Sequence, residues 1–110
     1  MKLTVTGRHL KITDGIQEHL EMQVDRHIRP WVDEGSGDIH FALAVEKQRH
    51  FAEVTVKSKG FSVHAENMTG DLYNAIDGVV LKTEKQLRKH KGRAKSLKSK
   101  QNSRMNAKTS

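Results

Sequence analysis

The 110-residue sequence contains no cysteine, one proline and only five aromatic residues. Without cysteine, disulfide bonds and thiolate metal sites are excluded, as is typical of proteins in a reducing cytosol. No apolar run approaches the roughly 20 residues that a transmembrane helix needs. The N-terminus also lacks the apolar segment of a signal peptide. We therefore expect a soluble, cytoplasmic protein that does not associate with membranes.

Common catalytic motifs are missing as well: there is no phosphate-binding loop, nucleophile elbow, HExxH motif or cysteine-based pattern. None of the seven histidines has the close spacing to a second histidine that marks a metal site. Asp71 and Asp77 flank the start of a predicted helix, where carboxylates favour the helix dipole, so we attribute them to helix stabilisation. The sequence therefore predicts no enzyme, no small-molecule substrate, no cofactor and no metal.

Positive charge is present in excess, and it is confined to one end of the chain. The net charge is +7. From residue 1 to 81, nine Lys or Arg stand against twelve Asp or Glu, a net of −3, whereas from 82 to 110 eleven stand against one, a net of +10. Such segregation indicates a polyanionic partner such as nucleic acid. The alternative is a solvated helix face and a tail that only aid solubility.

The first third of the chain predicts a strand and a helix. Alternation from Lys2 to Thr6 is typical of a short strand. Thr13 and Asp14 are N-cap residue types, and Asp14 with Gln17 resembles a capping box. Pro30 should end the helix within a residue or two. The predicted apolar face of this helix consists of Ile16, Leu20, Val24, Ile28 and Trp31.

The remainder predicts three strands and a second helix. A polar loop at 33–38 precedes the strands, and a loop at 67–70, in which Thr69 caps the second helix, follows them. The segments that alternate apolar and polar residues are 39–46, 52–57 and 61–65. The apolar face of the second helix consists of Leu72, Ile76, Val79, Val80 and Leu87.

The order β-α-β-β-β-α indicates an α+β fold. The first two strands should be parallel with a right-handed crossover, and the next pairs antiparallel. One face of each strand is polar, so both helices should cover the other face of a four-stranded mixed sheet, giving two layers. We assign residues 1–92 to this domain and 93–110, which has too few apolar residues to fold, to a flexible basic tail. No large apolar stripe is left over, so the free protein should be monomeric.

Basic residues in the second helix lie away from its apolar face. At about 100° per residue, Lys82, Lys85 and Lys89 form one stripe. Lysines on a packed helix bind phosphates and release counterions, and with few aromatic residues for base stacking, structured RNA is the favoured ligand. A second basic cluster lies at the predicted strand reversal, where an ordinary exposed turn is an equally good interpretation. The candidate contacts are Lys82, Lys85, Arg88, Lys89, Lys91, Arg93, Lys47, Arg49 and His50.

Three segments carry a resemblance to a known family: TGRHLKIT at 6–13, VEKQRHFAEVTV at 45–56 and DLYNAIDGVVLKTEKQLRKHK at 71–91. In order and spacing they resemble the ribosome hibernation promoting factor family, also called the ribosome-associated inhibitor or sigma-54 modulation protein family. The resemblance implies a fold similar to double-stranded-RNA-binding domains and a role without catalysis.

The resemblance also implies a partner, the rRNA of the small ribosomal subunit. Family members bind in the channel between head and body, where mRNA and tRNA lie, and inhibit translation in stationary phase or stress. The basic residues above then become candidate rRNA contacts. The alternative is a general structured-RNA-binding or RNA-chaperone module without ribosome preference. The first helix departs from the family pattern, because Arg26 and Arg29 are its only basic residues.

Overall fold

A computed structural model describes residues 2–32, 37–58 and 60–99, with side chains as far as residue 90. These residues form two α-helices and a mixed four-stranded sheet. The first α-helix, Asp14–Gln23, continues into a π-helical turn (Val24–Ile28) and a 3₁₀ turn (Arg29–Trp31). The helical path therefore ends one residue after Pro30, as predicted, although α geometry already ends at Gln23. The elements are β1 (Lys2–Arg8), α1 (Asp14–Gln23), β2 (Asp38–Glu46), β3 (Arg49–Ser58), β4 (Phe61–Thr69) and α2 (Leu72–Ser99).

The strands lie side by side in chain order, β1-β2-β3-β4. β1 is parallel to β2, and the other neighbours are antiparallel. One row of paired residues crosses the whole sheet on its covered face: Val5, Phe41, Val54 and Ala65. These findings confirm the predicted α+β class and the predicted strand directions.

Both helices cover this apolar face. The first-helix residues Leu20, Val24 and Ile28 are fully buried, as are Ile76 and Leu87 of α2. The core therefore lies between the sheet and the helix pair, and the opposite face of the sheet remains open. Within the described part of the chain, no helix has both the length and the apolar character that a membrane span requires.

Of the two residues predicted as candidate caps of the first helix, Thr13 and Asp14, the structure uses the first. Thr13 caps α1, because its Oγ1 accepts a hydrogen bond of 3.2 Å from the backbone N–H of Ile16. The predicted capping box is wrong, since Gln17 donates instead to Glu21, at 2.8 Å. Choosing between adjacent cap residues depends on backbone angles that their side-chain chemistry does not specify.

The predicted loop at 67–70 is also wrong, because β4 continues to Thr69, which pairs with His50 of β3. Asp71 caps α2 instead of Thr69: its Oδ2 accepts from the backbone N–H of Asn74 at 3.0 Å. Asn and Thr at these positions resemble a loop locally, but the neighbouring strand supplies ladder hydrogen bonds that outweigh the local preference.

The predicted domain boundary at 92 falls inside α2, which extends to Ser99. Alanine, lysine and arginine in this segment are good helix formers, so the helix need not stop where the apolar face ends. The rest of the predicted tail, 100–110, and most of the predicted loop at 33–38, namely 33–36, lie outside the described residues.

Candidate nucleic-acid interface

The second helix runs antiparallel to β4 along the edge of the sheet, and three contacts set its position. Lys82 Nζ donates to the backbone carbonyl of Glu66 at 2.9 Å. One turn later, Gln86 Nε2 donates to the carbonyl of His64 at 2.8 Å. Next, the His90 ring lies 4.6 Å from that of Phe61, between centroids. The basic half of α2 is therefore fixed beside the first half of β4.

Lys82 has a different environment from the other lysines of its stripe. Its ammonium group is bound to the sheet edge, whereas Lys85 and Lys89 are exposed and take part in no ion pair within the described residues. Hydrogen bonds to edge carbonyls also block the pairing of β4 with another strand. The structure therefore divides the predicted stripe into one anchoring lysine and two that point to solvent.

Arg88 also lies on the exposed surface of α2, but a carboxylate partly neutralises it. Its guanidinium is 3.3 Å from Glu84, one turn earlier, and 5.7 Å from the centre of the Trp31 ring. Glu84, the only acidic residue after position 81, also accepts from His27 Nδ1 at 3.0 Å. Stacking on Trp31 and pairing with Glu84 orient the guanidinium and reduce the charge it offers to a phosphate.

Asp77 joins the two helices and does not act at the helix start, so its predicted role is wrong. Its Oδ1 accepts from His19 Nε2 at 2.6 Å and from Gln23 Nε2 at 2.7 Å. Together with the His27–Glu84 pair, it makes two polar bridges to α2, one from α1 and one from the π-helical turn that follows it. These bridges fix the angle at which α2 presents its lysines.

The second predicted basic cluster lies at the other end of the sheet. Lys47 occupies the two-residue turn between β2 and β3 with a positive φ of 58°, and Arg49 begins β3. His50 is paired with Thr69, which lies eight residues along β4 from Phe61. Phe61 contacts His90, next to the last lysine of the stripe, Lys89. At about 3.3 Å per residue, the cluster lies roughly 25 Å from that end of the helix. The near end of the stripe, Lys82, contacts Glu66, which is only three residues, or about 10 Å, along β4 from Thr69.

His50 differs from Arg49 in orientation. Successive strand residues point to opposite faces, so Arg49 points to the open side of the sheet and His50 to the helix side. The ring of His50 is half-buried, and its Nδ1 is buried without a hydrogen-bond partner among the described residues. Of this predicted trio, Lys47 and Arg49 are the exposed cations.

Sequence reasoning missed three exposed basic residues at this same end: Arg8, His9 and Lys11. Arg8 ends β1 opposite Ala44, two residues before the end of β2. His9 follows with a positive φ of 63° as the chain turns toward α1. The parallel pairing of β1 and β2 brings Arg8 to the same end of the sheet as Lys47, and the motif TGRH was the available signal.

The open face of the sheet offers a different kind of surface. A groove there is lined by the basic side chains of Arg8, His9 and Lys82, by the acidic side chains of Glu46, Glu53 and Glu66, and by apolar residues. The carboxylates offset the basic side chains here, so this groove attracts a polyanion less strongly than the exposed Lys85 and Lys89 of α2. Lys91 and Arg93 belong to α2, but their side chains lie outside the described residues.

Comparison with known proteins shows which family this chain is similar to. Residues 3–95 match the model of the family described as Sigma 54 modulation protein / S30EA ribosomal protein. The chain is 32% identical over 95 residues to the ribosome hibernation promoting factor of Escherichia coli, covering 86% of this chain and 98% of that protein.

Two solved structures are similar along nearly their whole length. A ribosomal subunit interface protein from Coxiella burnetii matches with a TM-score of 0.75 and 26% identity, over 84% of this chain and 99% of that one. The N-terminal domain of Protein Y from Thermus thermophilus matches with a TM-score of 0.73 and 31% identity, over 82% and 99%. Because its fold, its sequence motifs and the match of residues 3–95 to the family model agree, this chain belongs to the Sigma 54 modulation protein / S30EA ribosomal protein family, which includes the ribosome hibernation promoting factors.

Proposed function

We propose that this protein is a ribosome hibernation factor that binds the small ribosomal subunit in the mRNA and tRNA channel and inhibits translation in stationary phase or stress. It acts in the cytoplasm, as a monomer, and without catalysis. Its ligand is the rRNA that lines the channel. Family membership supports the ribosome as the partner, and the charge distribution on α2 supports rRNA as the ligand.

The observation that carries this proposal is the pair of exposed lysines, Lys85 and Lys89, on a helix whose position is fixed from both sides. Contacts from Lys82 and Gln86 attach the helix to β4, and Asp77 and Glu84 attach it to α1. A rigid array of ammonium groups binds phosphates without a large loss of backbone entropy. It also matches a ligand of fixed shape, such as folded rRNA, better than a flexible strand.

Inhibition follows from occupancy. A domain bound by its α2 face in the channel excludes mRNA and tRNA, because two molecules cannot fill the same volume. The second basic cluster, with Lys47, Arg49 and Arg8, faces away from the end of α2 and contacts a separate rRNA segment. Residues beyond Ser99, with their additional basic residues, extend the contact along the rRNA.

Co-sedimentation with purified small subunits tests the proposal. The unaltered protein should pellet with the subunits at low salt, and prior loading of the subunits with mRNA and tRNA should reduce this binding. The double substitution Lys85→Glu and Lys89→Glu should abolish pelleting. A matched control, Lys2→Glu with Lys57→Glu, makes the same charge change on exposed residues of the open sheet face and should retain it.

Three results would count against the proposal. Equal binding by the α2 variant and its control would mean that the lysine stripe is only a solvated face. Equal pelleting with bulk structured RNA would favour the general RNA-binding or RNA-chaperone function. Binding that mRNA and tRNA do not affect would place the protein outside the channel.

A further inference from the structure

Three potential metal ligands converge on the open face of the sheet. They are Glu53 of β3 and His64 and Glu66 of β4. The Nε2 atom of His64 lies 3.1 Å from Glu53 Oε2 and 3.4 Å from Glu66 Oε2. All three side chains are partly or largely exposed, so a solute ion has direct access to the ligand atoms.

The strand register places like charges together here. Glu53 pairs directly with Glu66 across the β3–β4 ladder. Two carboxylates in directly opposite positions repel each other and destabilise a sheet. The register cannot shift to separate them, because it also aligns the buried Val54 with Ala65. Lys82 does not compensate them directly, since its Nζ donates to the backbone carbonyl of Glu66.

A cation between the three ligands relieves this repulsion, and the distances suit one. A tetrahedral ion with bonds of about 2.0–2.1 Å to imidazole nitrogen and carboxylate oxygen separates neighbouring ligand atoms by about 3.4 Å. The two distances from His64 Nε2, 3.1 and 3.4 Å, are close to that separation. The ligand oxygens of the two glutamates lie within 4.8 Å of each other, and a change in a side-chain torsion brings them to the separation that the ion needs.

The histidine is also oriented in the way that metal-binding histidines usually are. Its Nδ1 is 3.0 Å from Thr55 Oγ1, the residue directly opposite it on β3. Without an ion, Nε2 lies at hydrogen-bonding distance from both carboxylates. When an ion is bound between them, the ring would donate its Nδ1–H to this hydroxyl and direct its Nε2 lone pair at the ion. Such a partner for the other ring nitrogen fixes the tautomer and the ring position.

We propose that Glu53, His64 and Glu66 form a binding site for one divalent transition-metal cation of the zinc type, with water completing the coordination. One imidazole and two carboxylates suit zinc and its neighbours, whereas magnesium and calcium prefer oxygen ligands alone. The site adjoins Lys82, which contacts the backbone of Glu66, but it does not include Lys85 or Lys89, and it differs from the sequence-based expectation that no metal binds. Close spacing along the chain did not reveal it, because Glu53 comes from the neighbouring strand.

Zinc titration of the untagged full chain by isothermal calorimetry, in buffer without chelators at neutral pH, tests the site. We expect one equivalent to bind, and His64→Gln or Glu53→Gln to weaken the affinity by at least about tenfold. His40→Gln is the matched control. The His40 ring lies on the same face of the sheet, on β2, where it is paired with Thr55, and its Nε2 is 3.2 Å from Thr6 Oγ1. Magnesium should give no comparable binding.

A second readout separates ligation from folding. Without metal, Glu53→Gln should melt at or above the temperature of the unaltered protein, because it removes a like-charge pair, yet zinc should no longer raise its melting temperature. Cobalt(II) should broaden the His64 ring signals in NMR spectra. Zinc binding that His64→Gln and Glu53→Gln leave unchanged would overturn the proposal, as would an absence of zinc binding by the unaltered chain.

Discussion

Lys82 donates a hydrogen bond of 2.9 Å from its Nζ to the backbone carbonyl of Glu66, and this contact attaches the first lysine of the basic stripe to the sheet. Four residues later Gln86 makes the equivalent bond to His64. The carbonyls of an edge strand are thereby occupied by side chains of the helix above it. The same helix keeps Lys85 and Lys89 exposed to solvent.

This relationship predicts different consequences for two lysines on the same helix. Lys82→Ala should lower the free energy of unfolding by at most about 1 kcal/mol, because one exposed hydrogen bond is lost and water partly replaces it. Lys85→Ala should leave stability within about 0.5 kcal/mol of the unaltered protein. Urea denaturation measures both changes. Equal stability of the two variants would show that the contact to Glu66 contributes nothing.

Ribosome binding should depend steeply on salt. With ~6 phosphate contacts, the slope of log affinity on log salt concentration should be roughly −4 to −5. Replacing Lys89 with alanine should make the slope less steep by about 0.7–0.9, the contribution of one phosphate contact. Filter binding or sedimentation across a salt series measures the slope. A slope near zero would rule out phosphate contacts as the main source of affinity.

The two basic clusters should contribute independently. Lys85→Ala with Lys89→Ala and, separately, Lys47→Ala with Arg49→Ala should each weaken ribosome binding. Because the clusters lie at opposite ends of the sheet, the combined variant should show the sum of the two losses within about 0.5 kcal/mol. Competition binding measures all three affinities. Unchanged affinity after substitution of the turn residues would confine the interface to α2.

Gly78 permits the close approach of β4 to α2. A Cβ at this position would overlap the side-chain amide of Asn67, which donates to the carbonyl of Ala75 at 3.3 Å. Gly78→Ala alone should therefore not give the gain of about 1 kcal/mol that helix propensity predicts. In an Asn67→Ala background the same substitution should give that gain in chemical denaturation. Equal effects in both backgrounds would show that Asn67 does not restrict the site.

A substitution at Val54 tests the core, because this side chain is fully buried in the row of paired residues that crosses the sheet. Val54→Asp buries an unpaired charge at a cost of several kcal/mol, comparable with the roughly 5–15 kcal/mol that stabilise a typical domain. We expect loss of the cooperative thermal transition. Lys57→Asp, an exposed change on the opposite face of the same strand, should retain it. A normal transition for Val54→Asp would contradict the burial of this position.

The alternation of Phe41 and Val54 with polar neighbours and the helical spacing of Leu20 and Ile76 were enough to predict the element order, the covered face and the mixed sheet. They suffice because each pattern reflects which side of an element must leave water. The segregation of positive charge into the last quarter of the chain also indicated a polyanionic partner before any contact was known. Boundaries at Thr13 and Thr69 were less predictable, since caps and strand ends depend on backbone angles and on neighbouring strands.

The environment of each charged side chain was decided by the tertiary structure alone. Nothing local distinguishes Lys82 from Lys85, and only the position of β4 beneath α2 makes the first an anchor and leaves the second exposed. Strand pairing likewise brings Glu53 to His64, and strand direction separates Lys47 from Lys89. A sequence specifies which residues carry charge and which are buried, because both are properties of the residues themselves and their local spacing. The partners of those charges depend on contacts between residues far apart in the chain, and these exist only in the folded protein.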